Sequence, residues 1–175
     1  MTDRTDQTAA AAGEEPDTPS RISETIVIRV PPEAAYAAVS DVARMGEWSP
    51  ECRGAWILGR GGPARPGMRF IGRNRARWLP WPTLCRVVEA DPGRGFAFHV
   101  SFLGIQVAGW SYRFSPLPEG CEVREEWRDR RAGPFGMALT AVTPLVTGVV
   151  RRRARNRTTM RTTLVALRDA LESGR

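Results

Sequence analysis

The sequence contains no lysine, so that all of its 26 basic residues are arginine. Against 19 acidic residues they leave a net charge of +7, which suits an anionic partner such as nucleic acid or a membrane surface. A GC-rich coding sequence would replace lysine with arginine for its own reasons, and composition therefore makes such a partner the less favoured interpretation. Histidine is also scarce. With His99 alone, no Ser-His-Asp triad and no histidine-based metal site can be read from the sequence.

Cysteine is too sparse for a disulfide framework or a zinc site. Cys52, Cys85 and Cys121 are three in number, widely spaced, and form no CxxC pair. We expect three free thiols, at least some of them buried, and neither a metal ion nor another cofactor.

No apolar run is long enough to predict a membrane span with any strength. The best candidate, 134–150, falls slightly short of about 20 residues and contains three threonines and Pro144. A packed helix is the favoured interpretation, with an interfacial helix as the weaker alternative. Residues 1–20 hold one arginine and five acids and lack large apolar side chains, which predicts a disordered acidic tail rather than a signal peptide. We expect one domain over 21–175 in a cytoplasmic protein.

Alternation of apolar and polar residues predicts a sheet of about seven strands. Segment 21–30 alternates with a period of two, and two prolines end it before a helix-forming run that we expect to continue as two short helices up to Gly46. Turn sequences then separate six further predicted strands, at 53–58, 68–75, 83–90, 95–102, 105–115 and 121–131. The short connections favour an antiparallel meander.

The C-terminal segment has helical periodicity, with one apolar stripe running from Phe135 to Leu171. The stripe keeps its phase across the arginine tract 151–157, so we interpret the tract as the outer and flanking face of a long helix, bent or broken near Pro144. This helix is the one large apolar surface available to cover the sheet. The predicted fold is therefore α+β, a curved antiparallel sheet wrapped around its last helix.

At this point the sequence resembles the START and Bet v 1-like helix-grip proteins of the SRPBCC superfamily, in particular the polyketide cyclase/dehydrase type. The likeness lies in "VPPEAAYAAVSDVARMGEWSPEC", "GMRFIGRNRARW", "GWSYRFSPLPEGCEVREEW" and the closing "RARNRTTMRTTLVALRDALE". Together these cover 22–172. The resemblance implies an apolar cavity between sheet and helix in which members bind lipids, polyketides or other hydrophobic molecules, and in which some catalyse cyclisation or dehydration.

Strand alternation predicts which side chains face that cavity. The arginines of each strand mark the solvent side, so the alternate residues should point inward. The expected ligand-binding residues are Phe70, Asn74, Phe98, Trp110, Tyr112, Trp127, Asn156 and Met160. By the same alternation His99 should face outward. Trp78 and Trp81, in a proline-rich loop, are candidates for the cavity mouth, whereas Trp48 and Trp56 are expected in the core.

Three inward residues are polar, namely Asn74, Glu125 and Asn156. Burying them unpaired would cost several kcal/mol. One interpretation pairs them with one another, or with Arg153, in a core network; the other makes them the polar groups that orient a ligand. Because an apolar environment raises a carboxyl pKa toward neutrality, Glu125 is the best candidate for a catalytic acid or base.

Three functions remain open from the sequence. The leading hypothesis is a protein that binds one hydrophobic, polyketide- or lipid-like molecule. The second is an enzyme of polyketide cyclase or dehydratase type that uses Glu125, with Asn74 and Asn156 holding carbonyls. The third is an interaction protein whose arginine-rich helix face meets nucleic acid, anionic lipid or an acidic partner. The oligomeric state cannot be read from the sequence.

Overall fold

The computed structural model describes residue 18 and residues 20–76, 79–131 and 152–174. It contains seven strands: β1 (Arg21–Ile28), β2 (Cys52–Leu58), β3 (Arg69–Ala76), β4 (Leu79–Asp91), β5 (Gly95–Phe102), β6 (Ile105–Leu117) and β7 (Gly120–Asp129). The described residues also form two α-helices, α1 (Pro32–Ser40) and α2 (Arg152–Glu172). A 3₁₀ turn lies between α1 and β2, at Met45–Glu47.

The strands form one antiparallel sheet in the order β1-β7-β6-β5-β4-β3-β2. Every connection from β2 to β7 joins neighbours, so this part of the sheet is a meander, and β1 closes onto β7 at the far side. Helix α2 packs mainly against β1 and β7, while α1 packs against β5, β6 and β7. The predicted α+β helix-grip architecture is confirmed.

The prediction of a second short helix after the first strand was wrong. A single α-helix, α1, follows β1, and the expected second helix is replaced by the 3₁₀ turn, which starts only at Met45. Position 46 of this turn requires glycine, because a Cβ there would approach the backbone of Arg53 and Gly54 to 2.8 Å. The turn therefore packs directly against the start of β2, and only glycine fits at this contact.

The proline-rich segment predicted as a loop belongs to β4. Pro80 and Pro82 pair with β3, but β4 pairs with β5 only from Leu84 onward. In its first part β4 is thus an edge strand, where a proline without an N–H removes no ladder hydrogen bond on the open side. The prolines mark the edge of the sheet, not the end of the strand.

Helix α2 carries the predicted apolar stripe. Asn156, Met160, Leu164 and Leu167 recur every three or four residues and are buried, while Arg155 and Arg161 lie on the exposed face. Among the helices of the described residues, none has the length and apolar character needed to cross a bilayer. The predicted acidic tail apart from residues 18 and 20, the upstream part of the stripe with Pro144, and Trp78 lie outside the described residues.

Candidate functional site

A cavity lies between the inner face of the sheet and α2. It encloses about 170 Å³ that the centre of a water molecule can reach, room for on the order of ten waters. Its wall is mostly apolar and aromatic, with contributions from β2 to β7, from α2 and from the segment around the 3₁₀ turn. Such a lining, with a few polar groups in it, is typical of small-molecule sites.

The structure brings most of the predicted site residues together in this wall. Eight line the cavity: Phe70, Asn74, Phe98, Trp110, Tyr112, Glu125, Trp127 and Asn156. Strand alternation places them there, since each occupies an inward position of its strand or the buried stripe of α2. Met160 is the exception. It is fully buried, but in the hydrophobic core one helical turn beyond Asn156, and it does not line the cavity.

Glu125 is the central polar group of the cavity. Its side chain is buried at 2% exposure, and Oε1 accepts a hydrogen bond of 2.7 Å from the Tyr112 hydroxyl. The two residues are direct cross-strand partners on β6 and β7. Within the described part of the chain, Oε2 has no hydrogen-bond partner. One carboxyl oxygen is therefore held by the protein, and the other is unpaired in the wall of the cavity.

Burial raises the pKa of Glu125 to about 8, against a smaller lowering by the Tyr112 hydrogen bond; the nearby Glu24 carboxylate raises it further. Burial and the same carboxyl raise the pKa of Tyr112 well above its ordinary value. At neutral pH both groups thus carry their protons. Because Oε1 accepts from Tyr112, the carboxyl proton belongs on Oε2.

Asn156 presents the second unpaired polar atom. It lies in the first turns of α2, its side chain is buried at 2% exposure, and Nδ2 has no hydrogen-bond partner among the described residues. The interpretation that paired Asn74, Glu125 and Asn156 with one another was wrong. Asn74 instead donates to the Thr83 hydroxyl at 3.1 Å across the β3–β4 pair, and Arg153 points to solvent.

An ion-pair cluster missed by the sequence analysis borders the same cavity. Glu51 is buried at 7% exposure and accepts from Arg152 at 2.7 Å and from Arg155 at 3.3 Å. Arg152 also lies 5.5 Å from the centroid of the Trp81 ring. The cluster ties the segment before β2 to the start of α2. Arginines of the tract 151–157 therefore bind carboxylates, which helical periodicity alone could not show.

The predictions for the remaining tryptophans had different outcomes. Trp81 lines the cavity from β4, and Trp48 is buried and lines it too. The expectation that Trp56 lies in the core was wrong: it is 60% exposed on the outer face of β2, with the Arg73 guanidinium 5.2 Å from its ring centroid. The bulge between Cys52 and Ala55 shifts the alternation of β2 and turns this side chain outward.

The cysteines are free thiols, as their spacing predicts. Cys52 and Cys85 line the cavity. Burial raises the pKa of Cys85 to about 12 and that of Cys52 by a smaller amount, so both are protonated at neutral pH and poor nucleophiles. Among the described residues, no group of three or more His, Cys, Asp or Glu side chains lies close enough to hold a metal ion.

Comparison with known proteins points to one family. Residues 19–172 match the family model described as polyketide cyclase / dehydrase and lipid transport. The solution structure of a polyketide cyclase-like protein from Corynebacterium glutamicum is 31% identical, with a TM-score of 0.58, over 87% of this chain and 91% of that one. Among curated proteins, none matches the sequence significantly.

More distant structures share the fold. A protein from Deinococcus radiodurans superposes with a TM-score of 0.63 at 15% identity, covering 89% of this chain and all of that one. The di-domain aromatase/cyclase BexL of the BE-7585A biosynthetic pathway superposes with a TM-score of 0.60 at 18% identity, covering 85% of this chain and 48% of that one. At such identities the likeness concerns architecture alone.

Proposed function

The chain belongs to the polyketide cyclase / dehydrase and lipid transport family, and we propose that it binds one hydrophobic, polyketide- or lipid-like molecule in the cavity between the sheet and α2. The observation that carries this proposal is an apolar cavity in which two buried polar atoms, Glu125 Oε2 and Asn156 Nδ2, have no partner among the described residues. An unpaired buried polar group costs about 1–3 kcal/mol, which a bound molecule of suitable chemistry recovers.

The two unpaired atoms define that chemistry. Asn156 Nδ2 is a donor, and the neutral Glu125 carboxyl donates from Oε2 because the Tyr112 hydroxyl already occupies Oε1. A molecule that satisfies them offers oxygen acceptors on an otherwise apolar frame. A ketone, ester or quinone carbonyl meets this requirement; an unsubstituted hydrocarbon does not.

Native mass spectrometry of the purified protein, followed by thermal shifts with a panel of apolar ketones, tests the proposal. We expect a co-purifying molecule or a ligand-dependent rise in melting temperature. Thr159→Trp places an indole on the cavity-lining side of α2 and should abolish the shift. Thr162→Trp, on the exposed face of the same helix, is the matched control and should retain it. A panel without any stabilising compound would contradict the proposal.

A second candidate, a cyclase or dehydratase, is favoured by one observation: Glu125 is a neutral acid in an apolar cavity with a pKa of about 8. In a dehydration, Glu125 would give its proton to a departing hydroxyl group of the bound molecule. The resulting carboxylate would accept the proton from the adjacent carbon, so that water leaves, a C=C bond forms and the acid is restored. With a substrate in hand, Glu125→Gln should abolish turnover and preserve binding; unchanged turnover would remove this candidate.

The third hypothesis, an external partner on the arginine-rich helix face, has less support. Arg152 and Arg155 bind Glu51, while Arg157 and Arg161 lie 3.5 and 2.9 Å from Glu24. Four arginines of this face therefore already have carboxylate partners within the fold.

A further inference from the structure

The outer face of the sheet at the β2 edge combines exposed apolar side chains with unneutralised positive charge. Four large apolar residues there are more than two-fifths exposed, namely Trp56, Leu58, Leu84 and Val88. Four arginines without a carboxylate partner occupy outward positions of the same three strands: Arg53, Arg69, Arg73 and Arg86. We call this surface, together with Ile71 between Trp56 and Leu84, the β2–β4 face.

The strand register arranges these side chains in rows. Ile71 pairs with Trp56 on one side and with Leu84 on the other, which makes an apolar row across three strands. The next row consists of Leu58, Arg69 and Arg86. Apolar side chains and guanidinium groups are thus neighbours over the whole face, rather than being segregated.

Among the described residues, no carboxylate forms an ion pair with Arg53, Arg69, Arg73 or Arg86. Arg69 and Arg86 are direct cross-strand partners, an arrangement that destabilises a sheet by like-charge repulsion. No carboxylate occupies the outward positions of β2, of β3, or of β4 up to Val88, all of which are described. By contrast, the outward arginines Arg113 and Arg128 at the other side of the sheet pair with Glu89 and Glu126. These four guanidinium groups of the β2–β4 face are therefore available to an anionic partner outside the fold.

We propose that the β2–β4 face docks on the surface of an anionic phospholipid bilayer, with Trp56 and Leu84 at the headgroup boundary and the arginines on the lipid phosphates. An exposed tryptophan beside arginines suits this boundary, where an amphipathic ring and a cation both find partners. Duplex DNA, the other common polyanion, offers phosphate contacts to the arginines but nothing to an apolar row across three strands. This inference is independent of what the cavity binds.

Co-sedimentation of the full chain with vesicles tests the proposal. We expect binding to vesicles of 70% phosphatidylcholine and 30% phosphatidylserine, weak binding to pure phosphatidylcholine vesicles, and a steep loss between 0.1 and 0.5 M NaCl, reagent choices based on the screening of surface charge. Each basic side chain near an anionic leaflet strengthens binding about fivefold. Arg69→Gln/Arg86→Gln should therefore weaken it by about 25-fold, and Trp56→Ala should weaken it at every salt concentration.

The matched control is Arg29→Gln/Arg124→Gln, which removes the same charge at the β1–β7 side of the sheet. It should change binding less than about threefold, a loss smaller than that of one contacting arginine. Equal losses from the two double variants, or no binding to anionic vesicles, would overturn the proposal. Tighter binding to a 20-base-pair DNA duplex than to the vesicles would overturn it as well, and so would a dimer in light scattering that Trp56→Ala dissociates.

Discussion

Glu24 and Glu125 lie directly opposite each other on β1 and β7, and the fold treats their carboxyl groups in opposite ways. Glu24 binds two arginines of α2, Arg157 and Arg161. Among the described residues, the Glu125 carboxyl has only the Tyr112 hydroxyl as a partner, and its pKa is raised by burial and by the Glu24 charge beside it. One member of the pair thus anchors the helix as an anion, and the other faces the cavity as a neutral acid.

The raised pKa of Glu125 predicts a pH-dependent stability. Between pH 4.5, the ordinary value, and about 8, the folded state holds a proton that the unfolded state releases. The free energy of unfolding therefore falls by about 1.4 kcal/mol per pH unit from this group, and its contribution is largest below pH 4.5. Urea unfolding of the wild type and of Glu125→Gln across this pH range isolates the contribution of the Glu125 carboxyl.

Glu125→Gln should gain stability relative to the wild type as the pH rises, and the difference should level off above pH 8. Tyr112→Phe removes the hydrogen bond that lowers the pKa of Glu125. In the Tyr112→Phe background, the stability difference caused by Glu125→Gln should therefore level off only at a higher pH. A difference between wild type and Glu125→Gln that does not change with pH would contradict the assignment.

The ion pairs of Glu51 predict that the free energy of unfolding depends on this one carboxylate. Glu51→Gln leaves the partly buried Arg152 without its charge partner and should lower the free energy of unfolding by about 1–3 kcal/mol. Glu47→Gln is the matched control, since Glu47 pairs with Arg44 at a fully exposed position and its loss should leave the urea midpoint unchanged. Equal effects of the two substitutions would show that the Glu51 cluster is an ordinary surface ion pair.

The backbone conformation and the surroundings of Gly120 predict that β7 must start with a glycine. Its φ is +133°, and a Cβ there would lie 2.1 Å from the carbonyl oxygen of Ile28. Gly120→Ala should lower the free energy of unfolding by roughly 3 kcal/mol or more. Gly104→Ala introduces a similar left-handed strain, at φ +80°, but meets no atom within 4 Å and should cost only about 1 kcal/mol. Thermal or urea unfolding distinguishes the two.

Local patterns predicted the sheet because each strand has one face toward the cavity and core and one toward solvent. Along β7 the alternation of Val123, Glu125 and Trp127 with arginines and glutamates was sufficient to place all three inward. The same argument failed at Trp56, where a bulge shifts the alternation, and in the proline-rich start of β4, where pairing on one side only tolerates proline.

The contacts of the site depend on side chains that are distant in sequence, and periodicity does not reveal them. Arg152 looks like any other residue of the arginine tract until the fold brings Glu51, 101 positions away, to within 2.7 Å. Likewise, nothing in the sequence tells Asn74, which is paired with Thr83, from Asn156, whose amide nitrogen has no described partner. Alternation selects the polar residues of a cavity; only the packing decides which of them remain available to a ligand.

The central claim, that Glu125 and Asn156 donate hydrogen bonds to an oxygen of an apolar ligand, is tested most directly by the affinities of 9-fluorenone and fluorene. The two tricyclic compounds have the same frame and differ by a carbonyl in place of a methylene group. Quenching of the fluorescence of the cavity tryptophans Trp48, Trp81, Trp110 and Trp127 reports binding of both.

The wild type at pH 6.5 should bind the ketone about tenfold more tightly than the hydrocarbon. Glu125→Met and Asn156→Leu should each reduce that preference, and in the wild type it should diminish above pH 8, where Glu125 loses its proton. Equal affinities for the two compounds in the wild type would contradict the assignment of the donors, and binding of neither would contradict the ligand-binding function itself.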